Sequence, residues 1–89
     1  MPFTYLLRCA DGTFYAGWTV DMEARLAAHQ AGKASRYTRA RLPVTLARLE
    51  EWPTEGEARR REPALKRLSH ARKEALCGQK AQGKEDRDG

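Results

Sequence analysis

The 89-residue sequence predicts a small α+β domain, a three-stranded antiparallel sheet flanked by helices in the order β-β-α-β-α-α. Two β-prone runs near the start flank an Asp-Gly turn signal, which is typical of a β-hairpin. Capping residues and glycines then mark the ends of three predicted helices. In one further run the side chains alternate between two faces, as in a strand. A chain of this length forms one domain, near the low end of what folds alone.

The first two strands are predicted to pair around a turn at residues 10–12, which permits two registers. A two-residue loop would place Tyr5 and Tyr15 on opposite faces of the hairpin. A three-residue loop, with Gly12 in the left-handed conformation, puts both tyrosines and Gly17 on one face. We favour the second register because it gives a continuous apolar face, and Gly17 would let a group approach the backbone closely. Simple packing of the tyrosines would account for the same pattern.

A first helix is predicted over residues 22–31. Asp21 is a suitable N-cap, and Gly32 is suited to end the helix in the left-handed conformation. Arg25 and His29 are four residues apart, so they lie one turn apart on a stripe that can face the tyrosines.

The segment after this helix is basic. Residues 33–43 have no clean period and predict a loop, and residues 25–49 contain six Lys and Arg but no Asp or Glu. With a net charge of +5, this favours a polyanionic partner such as nucleic acid. The aromatic residue of the loop is either an anchor or a base-stacking platform. The predicted nucleic-acid contacts are Lys33, Arg36, Tyr37, Arg39, Arg41 and Lys66.

The third strand is predicted over residues 44–50, where side chains alternate, and it ends at Trp52. Thr54 and Glu57 form a capping-box pattern that starts a second helix. Pro63 interrupts the helical pattern, because proline lacks the N–H and clashes with the preceding turn. We therefore expect this helix to kink at the proline, or to end and restart.

The C-terminal part is predicted to hold a short last helix and a tail. Ser69 can cap a helix over residues 70–76 that Gly78 closes. Residues 78–89 are polar and predict a flexible tail, so the domain is expected to span residues 1–77.

The composition argues against a membrane protein or a disulfide framework. No apolar run approaches the ~20 residues of a membrane span, and no leader-like segment opens the sequence, which favours a soluble, cytoplasmic protein. Cys9 and Cys77 lie far apart and in no CxxC pattern, so we expect reduced thiols rather than a disulfide or zinc site.

Five blocks of the sequence, in order, resemble the GIY-YIG nuclease domain and, within it, a short stand-alone bacterial branch. They are Tyr5 in the first strand, Y-A-G at residues 15–17, D-M-E-A-R-L-A-A-H at 21–29, Y-T-R-A-R-L-P-V at 37–44 and E-A-R-R-R-E-P-A-L-K-R-L-S at 57–69. The resemblance covers residues 2–76. One departure is that Phe3 and Thr4 precede the first tyrosine, where the family has a glycine and a branched residue.

The resemblance implies a metal-dependent phosphodiesterase acting on DNA, with RNA as an alternative. Tyr15 would lie near the attacking water, as general base or as its positioner, and Tyr5 would support it. Arg25 would hold the scissile phosphate, and His29 would assist proton transfer or orient the tyrosine. Glu62 would hold one divalent ion, Mg²⁺ or Mn²⁺.

These roles agree with the chemistry that phosphodiester hydrolysis requires. One hard cation, anchored by a single carboxylate, can neutralise phosphate charge through water and phosphate oxygens. A tyrosine at its ordinary pKa of ~10 is a poor base, so a metal ion, Arg25 or Lys66 would have to lie close to it. Glu62 and Lys66 could instead form a simple helix ion pair. Pro63, which follows Glu62, either displaces the predicted metal ligand or aims it.

Three functions are compatible with the sequence. The first is a monomeric DNA endonuclease that recognises nicks, flaps or branches rather than base sequence. The second is a catalytically weak or inert nucleic-acid-binding module that uses the same basic surface. The third is an accessory domain that binds a protein through an exposed Trp52 or the last helix.

Overall fold

The computed structural model describes residues 1–78 and has an α+β architecture, as predicted. The strands are β1 (Phe3–Arg8), β2 (Phe14–Thr19) and β3 (Thr45–Glu51), and the helices are α1 (Met22–Gln30), α2 (Arg36–Arg39), α3 (Glu55–Lys66) and α4 (His70–Cys77). Both strand pairs are antiparallel, and the order β2-β1-β3 leaves β2 at an edge of the sheet. No helix within this part of the chain is long and apolar enough to span a bilayer.

The hairpin adopts the register of the three-residue loop. The amide of Cys9 donates to the carbonyl of Thr13 at 2.8 Å, and Gly12 has a φ of +86°. Tyr5 is therefore paired with Gly17 across the two strands. Because side chains alternate along a strand, this register places both tyrosines of the hairpin on one face, as predicted.

The sheet is the middle layer between two pairs of helices. The core on the side of α1 and α2 contains Tyr5, Leu7, Cys9, Met22 and Val44. The core on the side of α3 and α4 contains Leu6, Phe14, Ala16 and Leu65. The two cores divide the residues of the hairpin according to their alternation, which confirms the predicted apolar face.

Residues 33–43 were predicted to form a loop, but the helix α2 lies within them. The Ser35 hydroxyl accepts hydrogen bonds from the amides of Tyr37 and Thr38, at 3.0 and 3.4 Å, and so caps the helix. Thr38 is completely buried. The predicted loop therefore holds a core residue one helical turn after the cap.

The helix α3 runs through Pro63 instead of ending and restarting there. Thr54 caps its start, since its hydroxyl accepts from the amide of Glu57 at 3.2 Å. Ala58 and Leu65, on either side of the proline, are completely buried. Burial of this face outweighs the loss of one backbone hydrogen bond at the proline.

The remaining boundaries differ from the predictions by one residue. β3 begins at Thr45, since the amide of Val44 donates to the side chain of Gln30. The helix α4 extends to Cys77. Trp52 is half-buried rather than exposed. The predicted tail falls mainly on residues 79–89, which lie outside the described residues.

Candidate active site

Four predicted site residues meet between α1 and the hairpin of β1 and β2. Tyr5 comes from β1, Tyr15 from β2, and Arg25 and His29 from α1. The orientation of α1 is fixed by burial of its apolar side, which packs into the core next to the first tyrosine. Its start is fixed by Asp21, whose carboxylate accepts from the amide of residue 24 at 3.0 Å.

Three buried polar side chains form a line at the base of this site. The Tyr5 hydroxyl lies 2.9 Å from His29 Nε2, and His29 Nδ1 lies 2.8 Å from the hydroxyl of Thr38. The exposed fraction is 1% for the tyrosine, 1% for the histidine and 0% for the threonine. Each ring nitrogen of the histidine therefore has a protein partner and is shielded from water.

The two buried titratable groups are uncharged at neutral pH. Burial raises the pKa of Tyr5 to about 12, with a smaller contribution from Tyr15, while Arg25 acts in the opposite direction through its charge and a hydrogen bond. Burial, assisted by Arg25, lowers the pKa of His29 below its ordinary value. This pair is suited to orient other groups rather than to carry a charge.

Gly17 is required by the position of Tyr5. A Cβ at residue 17 would lie 2.5 Å from the hydroxyl oxygen of Tyr5 and 2.6 Å from its Cζ. The group that approaches the backbone closely at this glycine is therefore the phenol of the paired strand.

Tyr15 is the more accessible phenol of the hairpin. Its ring packs edge-on against His29 at a centroid distance of 5.2 Å and stacks on Tyr37 at 6.0 Å. It also lines a surface depression of about 270 Å³, together with Phe14, Ala16, Tyr37, Lys66 and Lys73. Tyr15 therefore lies between the buried pair and a depression that two lysines line.

Tyr37 has the geometry of a loop anchor. The guanidinium of Arg41 covers its ring at 3.8 Å from the centroid and donates to its backbone carbonyl at 3.0 Å. The same guanidinium bonds Asp11, in the hairpin turn, at 3.1 Å. These contacts tie α2 to the hairpin, and a nucleic-acid contact by either residue stays a prediction.

Glu62 lies on α3 and acts on the same site from the other side of the β2 edge. Its charge contributes to the raised pKa of Tyr5, and its side chain is 22% exposed. One carboxylate oxygen lies 3.0 Å from Nζ of Lys66, four residues later, so the simple helix pair is present.

The chemistry of the site fits a metal ion held by one carboxylate. Residues 1–78 contain no group of three His, Cys, Asp or Glu side chains that could enclose an ion. Mg²⁺ commonly binds through one or two carboxylates and completes its shell with water and substrate phosphates. Glu62 can serve as that carboxylate if the ion competes with Lys66.

The predicted cationic contacts occupy different environments. Lys33, Arg36, Arg39 and Lys66 are exposed, whereas Arg41 is half-buried in the contacts described above. Sequence reasoning missed Lys73 and Thr38. Lys73 has no local signal, because its position in the depression depends on how α4 packs, while the Ser35 cap would have predicted the helical turn that holds Thr38.

Comparisons with known proteins agree with the geometry. The family model of the GIY-YIG catalytic domain matches residues 1–75. A UPF0213 protein of Halobacterium salinarum is 49% identical, over 85% of this chain and 99% of its own length. A UPF0213 protein of Streptococcus sanguinis is 45% identical, over 90% and 92%.

Two solution NMR structures resemble the fold. The UPF0213 protein of Bacillus halodurans matches with a TM-score of 0.53 and 40% identity, over 85% of this chain and 82% of that one. A protein of E. faecalis matches with a TM-score of 0.55 and 39% identity, over 82% and 78%. The chain is thus similar to these proteins over most of its length.

Proposed function

This chain belongs to the GIY-YIG catalytic domain family, and on that premise we propose that it is a divalent-metal-dependent DNA endonuclease. The observation that carries the proposal is the position of Tyr15, between the buried Tyr5–His29 pair and a depression bordered by lysines. A phosphodiesterase needs a group at this place that deprotonates or positions the attacking water.

Arg25 binds the scissile phosphate in this mechanism. Its side chain is exposed on α1, yet it is close enough to lower the pKa of Tyr5. A guanidinium can form two parallel hydrogen bonds to a phosphate, which fixes the orientation of the phosphorus relative to the nucleophile.

Tyr5 and His29 hold Tyr15 in position. The histidine contacts both tyrosines, by a hydrogen bond to the first and by an edge-on ring contact to the second. Because both members of the buried pair are neutral, they can hold Tyr15 without adding charge beside the phosphate.

Glu62 would hold the divalent ion, with water and phosphate oxygens as the other ligands. When bound, Mg²⁺ or Mn²⁺ neutralises phosphate charge and stabilises the leaving oxygen. Lys66 can then turn to the phosphate, since its exposed side chain already borders the depression.

The substrate is selected by shape rather than by base sequence. The exposed cations on and beside α2 are suited to phosphate contacts, which position a nucleic acid but carry no base information. We therefore expect nicked, flapped or branched DNA to be preferred, and we expect the protein to act as a monomer.

A catalytically inert nucleic-acid-binding module is the second candidate. The Glu62–Lys66 ion pair favours it, because the lysine already pairs with the carboxylate that a metal ion would need. The two candidates differ in whether Glu62 binds a divalent ion. The accessory domain that binds a protein through an exposed Trp52 is less well supported, since Trp52 is half-buried.

Cleavage of labelled DNA in Mg²⁺ or Mn²⁺ tests the proposal. Single-stranded, duplex, nicked, flapped and four-way substrates are compared for the wild type, Tyr15→Phe and Glu62→Gln. Glu51→Gln, at an exposed position on the opposite edge strand, is the matched control. We expect the wild type and the control to cut one substrate class, and the two site variants to bind that DNA without cutting it.

A wild type that binds DNA in a salt-dependent manner but cuts none of these substrates would support the inert binding module instead. Equal cleavage by all four proteins would show that the reaction does not use this site.

A further inference from the structure

The buried line of polar groups at the base of the site continues beyond the histidine to the backbone. The Thr38 hydroxyl lies 2.8 Å from His29 Nδ1 and 3.3 Å from the carbonyl oxygen of Ser35. At the other end, His29 Nε2 lies 2.9 Å from the hydroxyl of Tyr5, the same phenol whose pKa the charge of Arg25 lowers. A neutral imidazole donates from one nitrogen and accepts at the other, so the line has a direction.

The carbonyl at one end fixes that direction, because a carbonyl can only accept. With protons running toward Ser35, Tyr5 donates to Nε2 of His29, Nδ1–H to Thr38, and Thr38 to the carbonyl. Every group in the line then has a partner of the right kind.

The opposite direction leaves a buried donor without an acceptor. If Thr38 donated to Nδ1, the Nε2–H of His29 would point its proton at the oxygen of Tyr5. The phenol proton would then have no acceptor within residues 1–78, on a side chain that is 1% exposed. Burying an unpaired donor is costly, so this arrangement is disfavoured.

We propose that Thr38 is a positioning residue of the site: its hydroxyl, held by the Ser35 carbonyl, fixes His29 as the Nδ1–H tautomer, so that Nε2 accepts the proton of Tyr5. The threonine thereby fixes the direction of the Tyr5 hydroxyl through the intervening histidine. The catalytic consequence rests on the proposed nuclease function, whereas the tautomer does not.

The tautomer can be measured on the full chain by ¹⁵N-edited NMR of the histidine rings at neutral pH. The sequence has two histidines, and His70→Gln assigns the signals of His29. We expect the wild type to carry its ring proton on Nδ1, with Nε2 unprotonated. A proton on Nε2 would overturn the proposal, whatever the protein does to DNA.

Two substitutions of Thr38 separate its hydroxyl from its volume. Thr38→Ser keeps the hydroxyl, so we expect the Nδ1–H tautomer and a kcat for DNA cleavage close to the wild type. Thr38→Val removes the hydroxyl, so we expect part or all of the ring proton to move to Nε2 and kcat to fall on the order of tenfold or more with DNA binding retained. An unchanged tautomer in a folded Thr38→Val protein would refute the role of the threonine.

Control outcomes keep the two proposals apart. If Thr38→Val does not fold, the tautomers of the wild type and Thr38→Ser decide, and loss of the Nδ1–H form in the serine variant counts against the proposal. If the wild type cuts no DNA but shows the Nδ1–H tautomer with rescue by serine, the nuclease function fails while the positioning of His29 stands.

Discussion

Gly17 and Tyr5 are matched in shape across the two strands of the hairpin. A methyl group at residue 17 would meet the phenol at 2.5 Å, and both positions are buried in the sheet. We expect Gly17→Ala to lower the free energy of unfolding by about 1–3 kcal/mol, the usual cost of overpacking, and to displace the phenol from His29. Denaturant unfolding measures the first effect, and cleavage of the preferred DNA measures the second.

Gly12→Ala is the matched control for this substitution. Gly12 has a φ of +86° with open space around its Cα, so alanine there meets strain of about 1–2 kcal/mol but no collision. We expect this variant to keep its activity. If both variants lost activity equally, the loss would come from disturbing the hairpin in general. The specific contact between Gly17 and Tyr5 would then not be supported.

The pKa of Tyr5 gives a pH dependence with a definite sign. Its value of about 12 in the folded protein lies above the ordinary 10, so the folded state retains a proton that the unfolded state loses. The stabilisation is complete below pH 10 and is lost as the pH rises through 12, at up to ~1.4 kcal/mol per pH unit. Phenolate absorbance should show one tyrosine titrating near pH 12. Tyr5→Phe should remove that step, and its persistence would contradict the assignment.

The grouping of the four site residues could be predicted from the sequence, but the partner of His29 could not. The grouping of Tyr5, Tyr15, Arg25 and His29 follows from strand alternation and helix spacing, and the structure brings them together. The contact between His29 and Thr38 joins residues nine apart through a turn of helix, so no period of the sequence points to it.

Three helices were predictable because a capping residue marks the start of each. Asp21, Thr54 and Ser69 each cap a helix as expected. The four-residue helix α2 was missed because it is too short to show a period. At Pro63 the sequence left a kink or a break open, and the structure shows an unbroken helix, because local rules for proline do not include the burial of the surrounding helix face.

Pro63→Ala tests how α3 tolerates its proline. Alanine restores an amide inside the helix and removes the clash of the ring, so we expect the free energy of unfolding to rise by about 1–3 kcal/mol. Urea unfolding measures the change, and Pro53→Ala, outside the helix, is the control. A destabilised Pro63→Ala protein would show that the local backbone is shaped for proline.

At the scale of the whole molecule, the sheet and the layer of α3 and α4 are joined by an ion-pair network around Glu50, a buried residue of β3. Its carboxylate bonds Arg48 at 2.7 Å and Arg61 of α3 at 2.8 Å, and Arg48 also donates to the carbonyl of Leu76 in α4 at 2.9 Å. Burial alone would raise the pKa of Glu50, but the hydrogen bonds from Arg61 and Arg48 outweigh it and hold the pKa below its ordinary value.

Glu50→Gln should therefore cost more than an ordinary surface change. Two arginines would lose a buried counter-charge, for which we expect a loss of about 3–5 kcal/mol in the free energy of unfolding. Glu51→Gln, one residue later and exposed, should be close to neutral. Because the pKa of Glu50 is lowered, the wild type should lose this stabilisation as the pH falls below 4.5, and Glu50→Gln should lack that acid-dependent step. A loss below 1 kcal/mol would contradict the account of the network.

The order of layers was predictable from the pattern of elements, but the depression beside Tyr15 was not. It forms where β2, α2, α3 and α4 meet, so its lysines come from elements whose relative angles no local pattern records. Glu62 was identified by family resemblance, and its action on Tyr5 depends on α3 packing across the edge of the sheet.

The most direct test of the central claim is the Mg²⁺-dependent cleavage rate of flapped or nicked DNA under single-turnover conditions, for the wild type and Glu62→Gln. The account predicts that the wild type cuts only with the metal ion, and that Glu62→Gln binds the same DNA but cuts it more slowly by on the order of a hundredfold. Equal rates for the two proteins, or a wild-type rate that does not depend on the metal ion, would contradict it.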